Sequence, residues 1–312
     1  MTIVKHNPEV YYVAGHNGMA GMAISKYLQS WKEVVVGRSH KDLDLTDINA
    51  VDSFIATNRP DKVIVAAARV GGIKDNDVYP VQYLMDNISI AHNVIKMSHK
   101  HNVKKLCFLG SVCIYPKFAE TPVKESSLLT GELEPTNQWY AIAKIAGVKM
   151  CQAYRKQFGC NYVSVMPCNL YGPGDTYDVN RSHVIPGLIT KFHKAKVNKE
   201  PFVECWGTGK ALREFLYVSD LARAVALVMD QYNDGEPINI GSGEEIAIKD
   251  LTTLIAKTVN YDGELKWNPN VSDGTPRRML DSSKIHGLGW KPMISLEEGL
   301  CLAYEDYLKR YG

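Results

Sequence analysis

The sequence predicts an α/β fold: a doubly wound parallel sheet followed by a smaller mixed domain. Three observations predict it. Short apolar runs at residues 10–14, 33–36, 62–68, 105–109 and 162–166 alternate with stretches of helical spacing, the rhythm of successive βαβ units. After Lys62 the run to residue 68 is apolar without interruption, as a strand covered on both faces requires. A glycine-rich turn follows the first run, with Gly15, Gly18 and Gly21 at regular spacing.

The elements follow in order. A first strand at 10–14 passes through the glycine turn into a helix at 19–28. A second strand at 33–36 precedes a helix at 47–58. The third strand, at 62–68, leads to a long helix at 78–101. A fourth strand at 105–109, a helix at 137–158 and a strand at 162–166 complete the alternation. Beyond Pro167 the rhythm changes: Pro and Gly become frequent, and helices remain near 218–230, 249–260 and 296–311. The expected organisation is a dinucleotide-binding domain at 1–170, rejoined by a later segment at about 212–242, and a mainly substrate-binding domain at 171–312. No linker or low-complexity stretch separates the halves, so the chain should cross between them more than once.

Composition narrows the function classes. A chain of 312 residues can bury a large core. Its 45% hydrophobic and 22% charged residues are ordinary for a globular protein. A net charge of +2 implies no general attraction to nucleic acid or membrane. No apolar run reaches the roughly 18 residues of a membrane span, and the N-terminus does not read as a secretory leader. Seven cysteines stand at 107, 113, 151, 160, 168, 205 and 301, with no Cys-x-x-Cys pair. An odd, scattered set argues against a disulfide framework or a zinc site and for a reducing, cytoplasmic setting without metal.

The turn Gly15-His16-Asn17-Gly18-Met19-Ala20-Gly21 lies between strand and helix. In that context Gly15 permits the turn, Gly18 lets backbone approach a pyrophosphate, and Gly21 lets the helix pack close. The helix N-terminus beyond it favours an anion. A glycine turn without a ligand is the alternative, and its position at the head of a βαβ unit argues against it. The second strand ends in Val36-Gly37-Arg38-Ser39-His40-Lys41, without the Asp or Glu that would hold a ribose 2′-hydroxyl. Arg38, with His40 or Lys41, can hold a 2′-phosphate instead, which points to NADP(H). Asp44-Leu45 suits the adenine pocket.

Tyr140 and Lys144 are one helical turn apart. An ammonium near the phenol is expected to lower its pKa and fit it for proton transfer. Ser111, about thirty residues earlier at the end of the fourth strand, can donate to a substrate carbonyl.

These residues, with Pro167-Cys168-Asn169-Leu170-Tyr171-Gly172 and Arg213-Glu214-Phe215-Leu216-Tyr217-Val218-Ser219-Asp220, resemble the extended short-chain dehydrogenase/reductase family, whose fold is of the Rossmann type. Four segments narrow the likeness to the GDP-L-fucose synthases, which are GDP-4-keto-6-deoxy-mannose 3,5-epimerase-4-reductases. They are Gly15–Gly21, Ser111-Val112-Cys113-Ile114-Tyr115-Pro116, Ser182-His183-Val184-Ile185-Pro186 and Thr275-Pro276-Arg277-Arg278. The resemblance implies a homodimer acting on a small-molecule GDP-sugar. It also implies cofactor contacts from Ala67, Asn87, Leu109, Pro167, Asn169, Leu170 and His183 besides the residues above. Substrate contacts are implied for Ser111, Val112, Cys113, Asn169, Val184, Lys191, Trp206, Arg213 and Arg278.

A 4-keto sugar carries acidic protons at C3 and C5, because the resulting charge spreads onto O4. Inversion needs a base on one face and an acid on the other. By resemblance Cys113 as thiolate is the base and His183 as imidazolium the acid. Ser111 and Tyr140 then stabilise the enolate oxygen, and Tyr140 donates the proton in C4 reduction. Asn17 and His40 stand where many family members carry Arg, so a reduced margin of NADPH over NADH is expected. A single-function reductase, epimerase or dehydratase of the same fold, or a non-catalytic NAD(P) sensor, remains the alternative.

Overall fold

The computed structural model describes residues 8–178, 182–271 and 273–312; the first seven residues of the N-terminal stretch read for a leader lie outside them. The first half runs β1 (Val10–Ala14), α1 (Met19–Ser30), β2 (Val34–Val36), α2 (Ile48–Asn58), β3 (Lys62–Val65), α3 (Ile73–Val78), α4 (Pro80–Lys100), β4 (Lys105–Leu109), α5 (Gln138–Phe158) and β5 (Tyr162–Pro167). The second half runs β6 (Asn169–Tyr171), α6 (Val184–Val197), β7 (Phe202–Trp206), β8 (Leu212–Tyr217), α7 (Val218–Gln231), β9 (Ile238–Ile240), β10 (Glu245–Ala247), α8 (Ile248–Val259), β11 (Glu264–Asn268), β12 (Arg277–Arg278), α9 (Ser283–Gly287) and α10 (Leu296–Tyr311).

Six parallel strands form the main sheet in the order β2-β1-β3-β4-β5-β9. The chain leaves β1 toward β2 and then returns to pair β3 on the other side of β1. The strand order therefore reverses there, and the crevice beyond the C-terminal ends of β1 and β3 is where such sheets take a nucleotide. Strands β4 and β5 are buried at every residue, which accounts for their apolar runs. Helix α5 packs close to β4: a Cβ on Gly147 would lie 2.2 Å from the Phe108 ring. A larger residue at 147 would push α5, and the side chains it presents, away from the sheet.

The single helix expected at 78–101 is two. Tyr79 has φ −123° and ψ 51°, outside helical geometry, and Pro80 occupies the first position of α4, where its missing N–H costs nothing. Residues 73–78 form a helix of their own. The strand expected at 62–68 ends at Val65, because the following loop is pinned elsewhere. The amide oxygen of Asn87 accepts from the Arg69 N–H at 2.8 Å, and its nitrogen donates to the carbonyls of Arg69 and Tyr83.

Beyond β5 the chain builds a second unit around β8, flanked by β10 on one side and β12 and β6 on the other, with β7 and β11 paired separately. Helices α6, α8 and α10 cover it through Ile189, Phe192, Ile255 and Leu300. The main core is rejoined by Leu216–Met229 of β8 and α7, by Ile238 and Ile240 of β9, and by Leu280, Ile285 and Trp290. The two cores thus share the chain, and β8 passes from one to the other. Each fully buried aliphatic or aromatic side chain in them contributes about 1.5–3 kcal/mol.

Candidate active site

The glycine turn has the shape expected of it. Gly15 sits at φ +85°, a left-handed conformation that favours glycine. A Cβ on Gly21 would meet the Gly15 carbonyl oxygen at 2.1 Å, so α1 begins hard against the turn. At Gly18 the nearest atom to such a Cβ is the Gly15 carbonyl oxygen at 3.4 Å, an ordinary contact. Helix α1 has no side-chain cap and no acid in its first turn. Its leading N–H groups are thus available to an anion. The His16 ring packs against Gly37 at the end of β2, and its Nδ1 is buried without a hydrogen-bond partner among the described residues. An uncapped helix and an orphaned buried nitrogen beside the crevice both fit a dinucleotide phosphate and its ribose.

At the β2 end, Arg38 is exposed, donates to the Gly37 carbonyl at 2.9 Å and lies over the Phe54 ring at 5.7 Å. His40 and Lys41 are exposed beside it. Asp44 accepts from the Thr46 backbone and hydroxyl, which holds its carboxyl below the usual range, and Leu45 is buried next to it. Ala67 abuts Gly15 across the crevice. Pro167 closes β5, and the Asn169 amide donates to the Glu214 carbonyl at 2.8 Å, tying β6 to β8.

The chemistry-bearing cluster lies at the end of β4. Ser111 caps a 3₁₀ turn, Val112–Ile114, and its hydroxyl accepts from the Cys113 N–H at 3.4 Å. Cys113 is 6% exposed. Burial pushes its thiol above the ordinary value, while the Ser111 hydroxyl and the charges of Arg278 and Lys144 pull the other way. Tyr140 and Lys144 face this turn from α5, and Tyr140 packs edge-on to the Tyr83 ring.

Lys144 is 4% exposed and donates to the Leu109 carbonyl at 2.7 Å. Its ammonium stands 4.9 Å from the Phe108 ring centre and 5.6 Å from that of Tyr140. Burial lowers it to about 8. The expected lowering of the Tyr140 phenol is corrected: burial, with Cys113 and Tyr83 adding, raises it well above its usual value. The physical reason is that the ammonium lodges against Leu109 and the ring faces, where it does not offset the loss of water around the phenol.

His183 is the N-terminal cap residue of α6. Its surface opens to solvent, yet the protein around the ring removes enough water to pull the imidazole below its ordinary value. The expectation of a ready imidazolium is corrected accordingly. Val184 begins α6 beside it.

The residues expected to face the substrate fall into two groups. Trp206 is 61% exposed at the end of β7, with the Lys191 ammonium 5.3 Å from its ring centre. Such an exposed indole is not core packing; a cation braces it from one side. Arg213 and Arg278 are register partners on the parallel strands β8 and β12. Burial lowers both guanidinium pKa values, and Arg278 adds to the lowering at Arg213. Arg213 donates to the carbonyls of Leu212 and Asp273. Arg278, 8% exposed, donates to those of Val112 at 3.1 Å and Pro116 at 3.4 Å. It therefore sits beneath the Cys113 turn.

Two groups escaped sequence reasoning. Glu134 is buried near both arginines and is held by Lys117 at 3.0 Å and the Thr275 hydroxyl at 3.3 Å. Glu214, fully buried, accepts from the N–H groups of Gly243 and Leu280 and is pushed up to about 6 by burial. No local pattern marks an acid whose partners lie this far along the chain.

All seven cysteines are free. Among the described residues no group of three or more His, Cys, Asp or Glu is placed to hold a metal, and no helix is long and apolar enough to cross a membrane.

The sequence profile of the NAD dependent epimerase/dehydratase family matches residues 11–241. The chain is 52% identical over 299 residues to putative GDP-L-fucose synthase 2 of Arabidopsis thaliana, covering 96% of this chain and 91% of that protein. The solved structure of a GDP-L-fucose synthetase from Naegleria fowleri bound to NADP superposes with a TM-score of 0.90 at 28% identity, covering 99% and 97% of the two chains. A GDP-6-OMe-4-keto-L-xylo-heptose reductase from C. jejuni superposes equally well, TM-score 0.90, at 34% identity over 97% and 98% of the chains.

Proposed function

The chain belongs to the NAD dependent epimerase/dehydratase family, and from that membership we propose that it converts GDP-4-keto-6-deoxy-D-mannose to GDP-L-fucose by C3 and C5 epimerisation and NADPH-dependent C4 reduction. The observation that carries this reading is the meeting of a buried thiol with a Tyr-Lys pair: Cys113 faces Tyr140 and Lys144 at the end of β4. A reductase alone needs only the pair.

Bound in the crevice, NADPH supplies hydride to C4. The turn Gly15–Gly21, Arg38, His40, Asp44 and Leu45 hold it from the β1 and β2 side. Ala67, Leu109, Pro167, Asn169 and Leu170 line the other side, with Asn87 shaping the loop behind Ala67. Arg213 and the braced indole of Trp206, with Lys191, receive the nucleoside diphosphate, since fixed guanidinium groups suit phosphate oxygens. Ser111 and Tyr140 donate to O4. Cys113 takes the proton from C3 and from C5, and His183 returns one on the opposite face. Burial keeps the thiol protonated in the free chain, and Ser111, Lys144 and Arg278 favour its ionisation. The high phenol pKa of Tyr140 keeps a proton in place until an alkoxide forms at O4 and takes it.

The first part of the chain, 1–170 with 212–242, holds the cofactor in this reading, and 171–312 the sugar nucleotide. Val81 and Met85 on α4 and Ile142 on α5 are large and exposed, and these neighbouring helices supply the face for a homodimer. Seven unpaired cysteines suit the cytoplasm.

The superposition on a GDP-6-OMe-4-keto-L-xylo-heptose reductase supports a second reading, a C4 reductase without epimerisation. Product identity separates the two. Supplied with GDP-4-keto-6-deoxy-D-mannose and NADPH, the wild type should yield GDP-L-fucose, and Cys113→Ser an un-inverted 6-deoxy sugar. An un-inverted product from the wild type itself overturns the epimerase half of the proposal.

A further inference from the structure

Arg278 is buried, yet no carboxylate among the described residues lies within ion-pair distance of it. The nearby acid, Glu134, is already paired with Lys117 at 3.0 Å. Instead the guanidinium forks across one short stretch of backbone. Nη1 donates to the carbonyl of Val112, the residue before Cys113, and Nη2 to that of Pro116, three residues after it. Its position is fixed from below, since Arg278 lies in register with Arg213 on β12 and β8. Burying a charge without a counter-ion is costly. A neutral donor such as an amide could bridge one of these carbonyls without that cost, so the charge itself calls for a reason.

The groups that face Cys113 supply it. From its own turn comes the Ser111 hydroxyl, from α5 the Tyr140 phenol and the Lys144 ammonium, and from β12 the Arg278 guanidinium. Lys144 is itself partly disarmed by burial and committed to the Leu109 carbonyl. Arg278 keeps its charge at any working pH.

We propose that Arg278 is a positioning residue for Cys113: its fork fixes the 112–116 turn that aims the thiol, and its charge is the one against which the thiolate forms. The arginine thereby acts on the epimerisation base and contributes little to holding the diphosphate. This inference rests on the epimerase reading for its catalytic consequence, but its effect on the thiol does not need a sugar. Guanidinium geometry matters because one planar group must reach two carbonyls at once, whereas lysine offers a single point of attachment.

The test uses Arg278→Lys and Arg278→Met in the full chain, and reads alkylation of Cys113 by iodoacetamide against pH, resolved by peptide mass spectrometry. In Arg278→Met the midpoint should rise by about one unit or more, with neutral-pH alkylation falling about tenfold. Arg278→Lys, which keeps the charge, should stay near the wild-type midpoint. With substrate, solvent deuterium uptake at C3 and C5 should follow the same order, and the KM for the sugar nucleotide should change less than threefold. Arg278→Lys should lose part of its plateau rate, because the turn is held at one carbonyl only. An unchanged alkylation midpoint in Arg278→Met overturns the proposal, as does a normal exchange profile coupled to a large rise in KM, which makes Arg278 a phosphate ligand. If Arg278→Met does not fold, a rise of one unit in the Arg278→Lys midpoint is the overturning result, and an unshifted midpoint with a lowered plateau the supporting one. Absence of any deuterium uptake in the wild type defeats the epimerase reading while leaving the alkylation result to decide the effect on the thiol.

Discussion

The Lys144 ammonium lies 5.6 Å from the centre of the Tyr140 ring and is bonded to the Leu109 carbonyl at 2.7 Å. It holds the end of β4 and the face of the phenol ring together, so the cluster that surrounds Cys113 is tied to the sheet. The phenol keeps its proton in the free chain, which is what a donor to an alkoxide requires.

Replacing Tyr140 by Phe removes that proton and little else. C4 reduction should fall by about 10²–10⁴, the usual contribution of a placed general acid, while NADPH still binds. Stopped-flow oxidation of NADPH with keto-sugar checks it, and a rate near wild type would reassign the donor.

Lys144 carries a cost that its removal should reveal. Its pKa falls from 10.5 unfolded to about 8 folded. A lysine depressed in this way is least favourable to folding when charged. Its contribution is fully present above 10.5 and is lost as pH falls through 8, so at pH 7 the fold bears roughly 3 kcal/mol from this group. Lys144→Met escapes that cost but leaves the Leu109 carbonyl without a partner, about 1–3 kcal/mol. At pH 7 the variant should melt at or slightly above the wild type while reduction collapses. Its relative advantage should shrink toward pH 10. Calorimetry across that range decides, and a variant that melts far below wild type at pH 7 contradicts the account.

His183→Asn should separate proton removal from inversion. The lowered imidazole loses its charge below the ordinary histidine value, so the wild-type inversion rate should already be declining as pH rises toward that value. In the variant, deuterium should still enter the recovered keto-sugar, with the proton returned on the original face. Normal yields of inverted product from His183→Asn would make the histidine a bystander.

The proposed reading assigns cofactor selection to Arg38, exposed just after β2 with no acid beside it. The wild type should bind NADPH more tightly than NADH. Arg38→Ala should weaken NADPH by roughly tenfold, the loss of a charge-assisted bond, and leave NADH nearly unchanged. Fluorescence titration of both cofactors reads this directly; equal affinities in the wild type would show that the basic run does not read the 2′-phosphate.

Much of this arrangement was legible because its signals are local. The strand at 10–14, the glycine turn, the strand at 105–109 and the Tyr140–Lys144 spacing each lie within a few residues, and the structure places them as read. Long-range partners decided what was missed. Tyr79 breaks the helical run because Pro80 restarts it. Three-residue β9 is too short to read alone and is a strand only because β5 pairs it. Strand β8 carries Arg213 and Glu214 in mid-run, and their polarity hides a strand whose carboxylate is satisfied by Gly243 and Leu280. By resemblance Arg278 faces the sugar nucleotide; that its guanidinium also spans the carbonyls of Val112 and Pro116 is a long-range contact no local pattern marks.

A single turnover in heavy water tests epimerisation and reduction together. Wild-type protein, NADPH and GDP-4-keto-6-deoxy-D-mannose are combined in D2O, and the product is examined by proton NMR. The product should be GDP-L-fucose with deuterium at C3 and C5 and a hydride-derived proton at C4. A product reduced at C4 but carrying its original protons at C3 and C5, in the original configuration, would contradict the proposed function.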